Sequence, residues 1–257
     1  MTESDHVAET TPAELGLEAG KNAFDPLGEF SNTFGDAFDQ ASKKQFLDSY
    51  LVGIKQFFQE RGLVVPILSH LEDISQSWGL SGFIQGLNRQ RPNPKEGLEP
   101  PSGEYNDPKT WEYTLNLVVQ ITYEEGYFLG FMAGIARDYD LSFSHWEVPS
   151  NLGQFKVFCQ GQNGEPRVYS PETIGANWAT ETDRKIALQF ENQVYEGGLK
   201  LWLHERNLDM DLVSEISHPE ALAAFKLALE GRALEADTIP GSPQHTGYLL
   251  GQAARRL

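Results

Sequence analysis

The chain has 257 residues, 40% of them hydrophobic and fifteen of them Phe, enough for one sizeable core or two small ones. A formal charge of −17 excludes a direct nucleic-acid ligand and disfavours an anionic membrane surface, because both need clustered Lys and Arg. The single cysteine, Cys159, excludes an intramolecular disulfide and a cysteine-based zinc cluster.

Residues 1–40 hold nine acids against one base, Lys21, and the low hydrophobicity up to about Gly20 predicts a disordered, acidic N-terminal arm. Its start is acidic and lacks an apolar run, so no signal peptide is expected and the predicted home is cytoplasmic. Phe24, Leu27, Phe30, Phe34 and Phe38 then follow at steps of three or four, a stripe that either docks on the protein's own core or holds a partner.

Residues 41–257 read as one helical domain. Phe46, Tyr50, Ile54, Phe57 and Phe58 share a helix face that Gly62 should stop. A helix is expected from Pro66 towards Trp78, ended by Gly79, and a short one over 83–87. A proline-dense loop follows, and the pair Asp107 and Pro108 should open a helix running to about Asp138. QFKVFCQ and PRVYS around GQNGE predict a β-hairpin over 154–170, with Asn163 and Gly164 in the turn. Helical periodicity resumes near Thr180, again after Pro219, and last after Pro243.

Two stretches match without gaps: YLVGIKQFFQERGL from Tyr50 and YEGGLKLWLHERNL from Tyr195. GYFLG at 126 and GYLLG at 247 match as well, which suggests two related helical halves, 42–139 and 180–257, joined by the hairpin. The fold class is therefore mainly α, a compact multi-helix bundle. Gly126, Gly130 and Gly134 fall on one helix face, where missing side chains should let another helix approach closely; Gly130 and Gly251 should occupy comparable places.

Chemistry is thinly signalled. Arg137, Asp138, His145 and Glu147 follow the glycine-rich helix and are the weak candidates for acid–base catalysis. His70 with Glu72, and Glu215, His218 and Glu220, are the weak metal candidates. A His and a Glu two apart diverge on a helix, and Pro219 suggests that His218 caps a helix start, so no metal or other cofactor is expected. The sequence carries no nucleophile elbow, phosphate loop or zinc-protease motif. It favours interaction over catalysis: an accessory, inhibitor or immunity-type protein holding a basic protein partner, with Phe24, Phe30, Phe34 and Phe38 as candidate contacts. A pocket enzyme acting between the halves, and a phage or assembly component that self-associates, are the rival readings.

Overall fold

The computed structural model describes residues 10–29, 39–62, 71, 77–90, 92, 108–140, 142, 149, 151–167 and 181–256. The chain divides into two compact units, Met1–Ser144 and His145–Leu257. Unit 1 contains α1 (Pro12–Lys21), α2 (Gln40–Glu60), α3 (Ser77–Leu87) and α4 (Pro108–Asp138). Unit 2 contains α5 (Leu152–Gln162), α6 (Glu181–His204), a 3-10 turn (Met210–Leu212), α7 (Val213–Ile216), α8 (Pro219–Leu229) and α9 (Pro243–Ala254). The protein is mainly helical, and no strand occurs among the described residues.

Two expectations fail for identifiable reasons. The segment read as a β-hairpin over 154–170 begins as helix α5, because Asn151 caps it by accepting from the Gln154 amide at 2.9 Å. Phe155, Phe158 and Gly161 follow at steps of three along one buried helix face, and Val157, four before Gly161, is buried beside it. Asn163 and Gly164 form no hairpin turn. They end the helix, with Gly164 in the left-handed region at φ 62°. Gly79 likewise does not stop a helix; it lies inside α3, buried against Gly126 of α4, and of the residues expected to precede it only Leu71 and Ser77–Trp78 are described.

Where low hydrophobicity leads one to expect disorder up to Gly20, the structure has α1. Thr11 and Glu14 build a reciprocal capping box, Pro12 takes the first turn, and Gly16, Ala19 and Gly20 are buried. Composition averages over a window; a cap and a small-residue face act locally.

The helices associate as four parallel pairs: α1 with α2, α3 with α4, α5 with α6 and α8 with α9. The direction follows from the glycines. A Cβ on Gly16 would meet the carbonyl of Phe46, and one on Gly20 that of Tyr50. On α4, Gly126, Gly130 and Gly134 face Gly79, Phe83 and Leu87 in the same rising order. Each pair therefore needs a crossover as long as its short helix, which is why the connections are long.

The same local geometry closes all four pairs. Each short helix ends on a left-handed residue: Ala23, Arg89, Gly164 and Gly231, with φ of 49°, 50°, 62° and 73°. In each, the next amide reaches back to complete the cap: Phe24 to the Ala19 carbonyl, Gln90 to Gln85, Glu165 to Gln160 and Arg232 to Leu227, at 2.8–3.0 Å. A tyrosine on the long helix then donates to the carbonyl of that next residue. Tyr50 binds Phe24, Tyr127 binds Gln90, Tyr195 binds Glu165 and Tyr248 binds Arg232, at 2.8, 2.8, 2.7 and 3.0 Å. Three residues after each tyrosine stands a glycine, Gly53, Gly130, Gly198 or Gly251, pressed on a carbonyl of the short helix. Burial, with the Asp25 carboxylate adding to it, pushes the Tyr50 phenol well above its ordinary range, so it remains a donor.

Within unit 1, Tyr50 meets Phe83 edge-on at 6.1 Å, and the Asn88 amide donates to Asp25 at 3.3 Å. Within unit 2, Tyr195, Leu199, Trp202, Leu203, Val213, Ile216, Leu222 and Phe225 form a continuous core, and the Lys226 ammonium donates to the Gly164 carbonyl at 2.8 Å.

Candidate functional site

Of the catalytic candidates, Arg137 and Asp138 fall on described residues: Arg137 holds helix ends, and Asp138 pairs with arginine side chains. The Arg137 guanidinium donates to the carbonyls of Ala23 at 3.0 Å, just past the end of α1, and Leu87 at 3.3 Å, the last residue of α3. Asp138 accepts from Arg137 Nε at 2.8 Å and faces Arg89 Nε at 3.5 Å. Arg89 in turn donates to the Tyr139 hydroxyl at 2.9 Å. His145 and Glu147 lie outside the described residues, as do His70, Glu72, Phe30, Phe34 and Phe38. Phe24 is 44% exposed, while its carbonyl receives the Tyr50 bond.

His218 caps α8, its Nδ1 accepting from the Glu220 amide at 3.3 Å. Glu215 sits on the four-residue helix α7. Among the described residues no three His, Cys, Asp or Glu side chains are grouped so as to hold a metal ion.

Cys159 lies on α5, and burial, reinforced by the Glu165 carboxylate, pushes its thiol up to about 12. The thiolate is the reactive form, so at mildly alkaline pH the native protein should be alkylated on the order of a thousandfold more slowly than a free cysteine. Urea should restore an ordinary rate. Rapid alkylation of the folded protein would show that the thiol is not held in this way.

Among the described residues of unit 2, shallow clefts flank α8. One of about 280 Å³ is lined by Ala228, Gly231, Tyr248, Gln252, Arg255 and Arg256. Another, of about 240 Å³, is lined by Pro166, Leu222, Ala223, Lys226, Leu227, Glu230 and Arg232. No candidate from the sequence lines either.

The feature that sequence reasoning missed is on α4. Its seam with α3 begins near Tyr123, because α3 has only 11 residues against 31. The part of α4 before the seam extends on the order of 20 Å at 1.5 Å per residue. There Leu115, Leu117, Val118 and Ile121 are exposed, by 65%, 36%, 55% and 41%. No charge occurs from Leu115 to Tyr123; Glu124 and Glu125 follow. Leu117, Val118 and Ile121 share one helix face, with Leu115 at its edge. A shorter counterpart stands on α6, where Ile186 and Phe190 are exposed four residues apart among charged neighbours.

The units differ in charge. Residues 1–144 carry 22 Asp and Glu against 10 Lys and Arg, a net −12, and residues 145–257 carry 15 against 10, a net −5. No helix among the described residues is long and apolar enough to cross a membrane. No family model, curated protein or solved structure matches this chain.

Proposed function

We propose that this protein is a cytoplasmic, acidic helical interaction protein, of the accessory, inhibitor or immunity type, that holds a basic protein partner. The observation that carries the reading is the exposed apolar stripe of α4, set in the unit with the larger negative charge. Covering a large apolar side chain is worth about 1.5–3 kcal/mol when burial is complete, so four of them form a sizeable unused source of binding energy. The net negative charge of the unit favours a cationic partner at long range. Arg137 and Asp138 speak for the same side of the choice, since the Arg137 guanidinium serves helix-end carbonyls and the Asp138 carboxylate pairs with Arg137 and Arg89.

The test is recovery of partners from host extract on tagged full-length protein at low and high salt. A partner rich in Lys and Arg should be retained at low salt and released at high salt. Retention that ignores salt counts against the reading.

The internal resemblance also reaches further than two halves. The left-handed cap, the tyrosine bond to the following carbonyl and the Tyr-x-x-Gly spacing support descent of all four pairs from one ancestral pair. Pairs one and three share more: Arg61 stacks over Phe57 as Arg206 does over Trp202, at 3.9 and 4.4 Å from the ring centres. Relatives lacking the Tyr-x-x-Gly spacing in a single pair would count against common descent.

A further inference from the structure

We propose that the α4 stripe seats an amphipathic helix of the partner whose flanks are basic, an inference that rests on the interaction reading above. Leu117, Val118 and Ile121 stand at i, i+1 and i+4, so they form a ridge on one face, with Leu115 beside it. The charge-free run from Leu115 to Tyr123 is nine residues, roughly 14 Å at 1.5 Å per residue, the length over which a docked helix presents anchors at i, i+3 or i+4 and i+7. A helix has no free backbone edge with which to pair a strand, so side-chain ridges packing into grooves are the available mode. The run ends at Glu124 and Glu125, and the Gln120 amide donates to Glu124 at 2.9 Å. Their charge adds to the negative potential that a basic flank of the partner meets. The charge complementarity selects the occupant: the unit's −12 attracts a cationic helix, whereas a second copy brings another −17 to the same face.

The probe is a synthetic amphipathic Lys/Leu helix of about 18 residues, titrated calorimetrically into the full-length protein. Its controls are the Glu/Leu counterpart and a Lys/Leu peptide of the same composition in strand alternation. The Lys/Leu helix should bind, weaken with salt, and lose about tenfold or more in affinity to V118S/I121S, while neither control binds comparably. Hydrogen exchange on α4 checks that the variant is folded, and Leu117→Asn provides a second, milder lesion. Equal affinity for the variants overturns the site but leaves the interaction reading standing. A wild type that binds no probe and retains no salt-sensitive partner overturns both. Doubling of the solution mass that V118S/I121S abolishes assigns the face to a second copy. Tighter probe binding by F30S/F34S/F38S assigns it to the protein's own Phe-rich segment.

Discussion

Gly130→Ala is expected to destabilise unit 1 by roughly 3 kcal/mol, the upper part of the range for overpacking. The added methyl would overlap the Phe83 carbonyl oxygen and stand 2.8 Å from the Leu87 amide nitrogen. Both obstacles are backbone inside a helix, so no rotamer change relieves them, and α3 has to move off α4. Alanine's better helix propensity returns only about 1 kcal/mol. Gly28→Ala is the control, since its methyl meets Asp25 at an ordinary 3.6 Å and should leave stability nearly unchanged. Urea denaturation gives the loss, and hydrogen exchange should place it on the amides of α3 and α4. Matching midpoints for Gly130→Ala and the wild type would mean that the seam is loose enough to absorb a methyl, and the account of the parallel pairs would fail with it.

That seam was legible in the sequence; its direction was not. Steps of four put Gly126, Gly130 and Gly134 on one face, but small residues permit close approach equally for parallel and antiparallel neighbours. Direction came from which carbonyl of the neighbouring helix each glycine meets, which can be read only once the short helix partner is known. The β-hairpin expectation failed because Asn-Gly serves two purposes. It makes a tight turn between strands, and it also supplies the left-handed residue that ends a helix such as α5. The capping box of Thr11 and Glu14 was present in the letters, but the expectation of disorder followed the low hydrophobicity of the window. Similarity between Tyr50 and Tyr195, and between Tyr127 and Tyr248, was visible as two separate matches. Their common role, one phenol on one carbonyl after each left-handed cap, required contacts more than ten residues apart in sequence. The stripe on α4 was hidden for a related reason: periodicity identifies a helix but does not say where its partner stops. Arg137 showed its charge in the sequence, whereas the Ala23 carbonyl that it serves lies 114 residues away.

Arg167→Leu should destabilise unit 2 by about 2–3 kcal/mol near neutral pH, because it leaves a shielded carboxylate without its cation. Arg167 and Glu191 have side chains only 4% and 13% exposed, and the guanidinium donates to Glu191 Oε2 at 2.8 Å. Burial already holds the Glu191 carboxyl above its ordinary value, with Arg167 pulling the other way. Removing the guanidinium lets burial act unopposed and raises that value further. A carboxyl raised in the folded state contributes its stability below the unfolded glutamate value and loses it as pH rises through the folded value. The deficit of Arg167→Leu is therefore greatest near neutrality and shrinks on acidification, as Glu191 takes up a proton and ceases to be a buried charge. Adding Glu191→Leu should recover much of the loss near neutral pH, since a pair of apolar side chains leaves no isolated ion. Urea midpoints across the acidic range decide the matter: a deficit that stays constant or grows towards low pH would show that Arg167 supports unit 2 by packing rather than by neutralising Glu191.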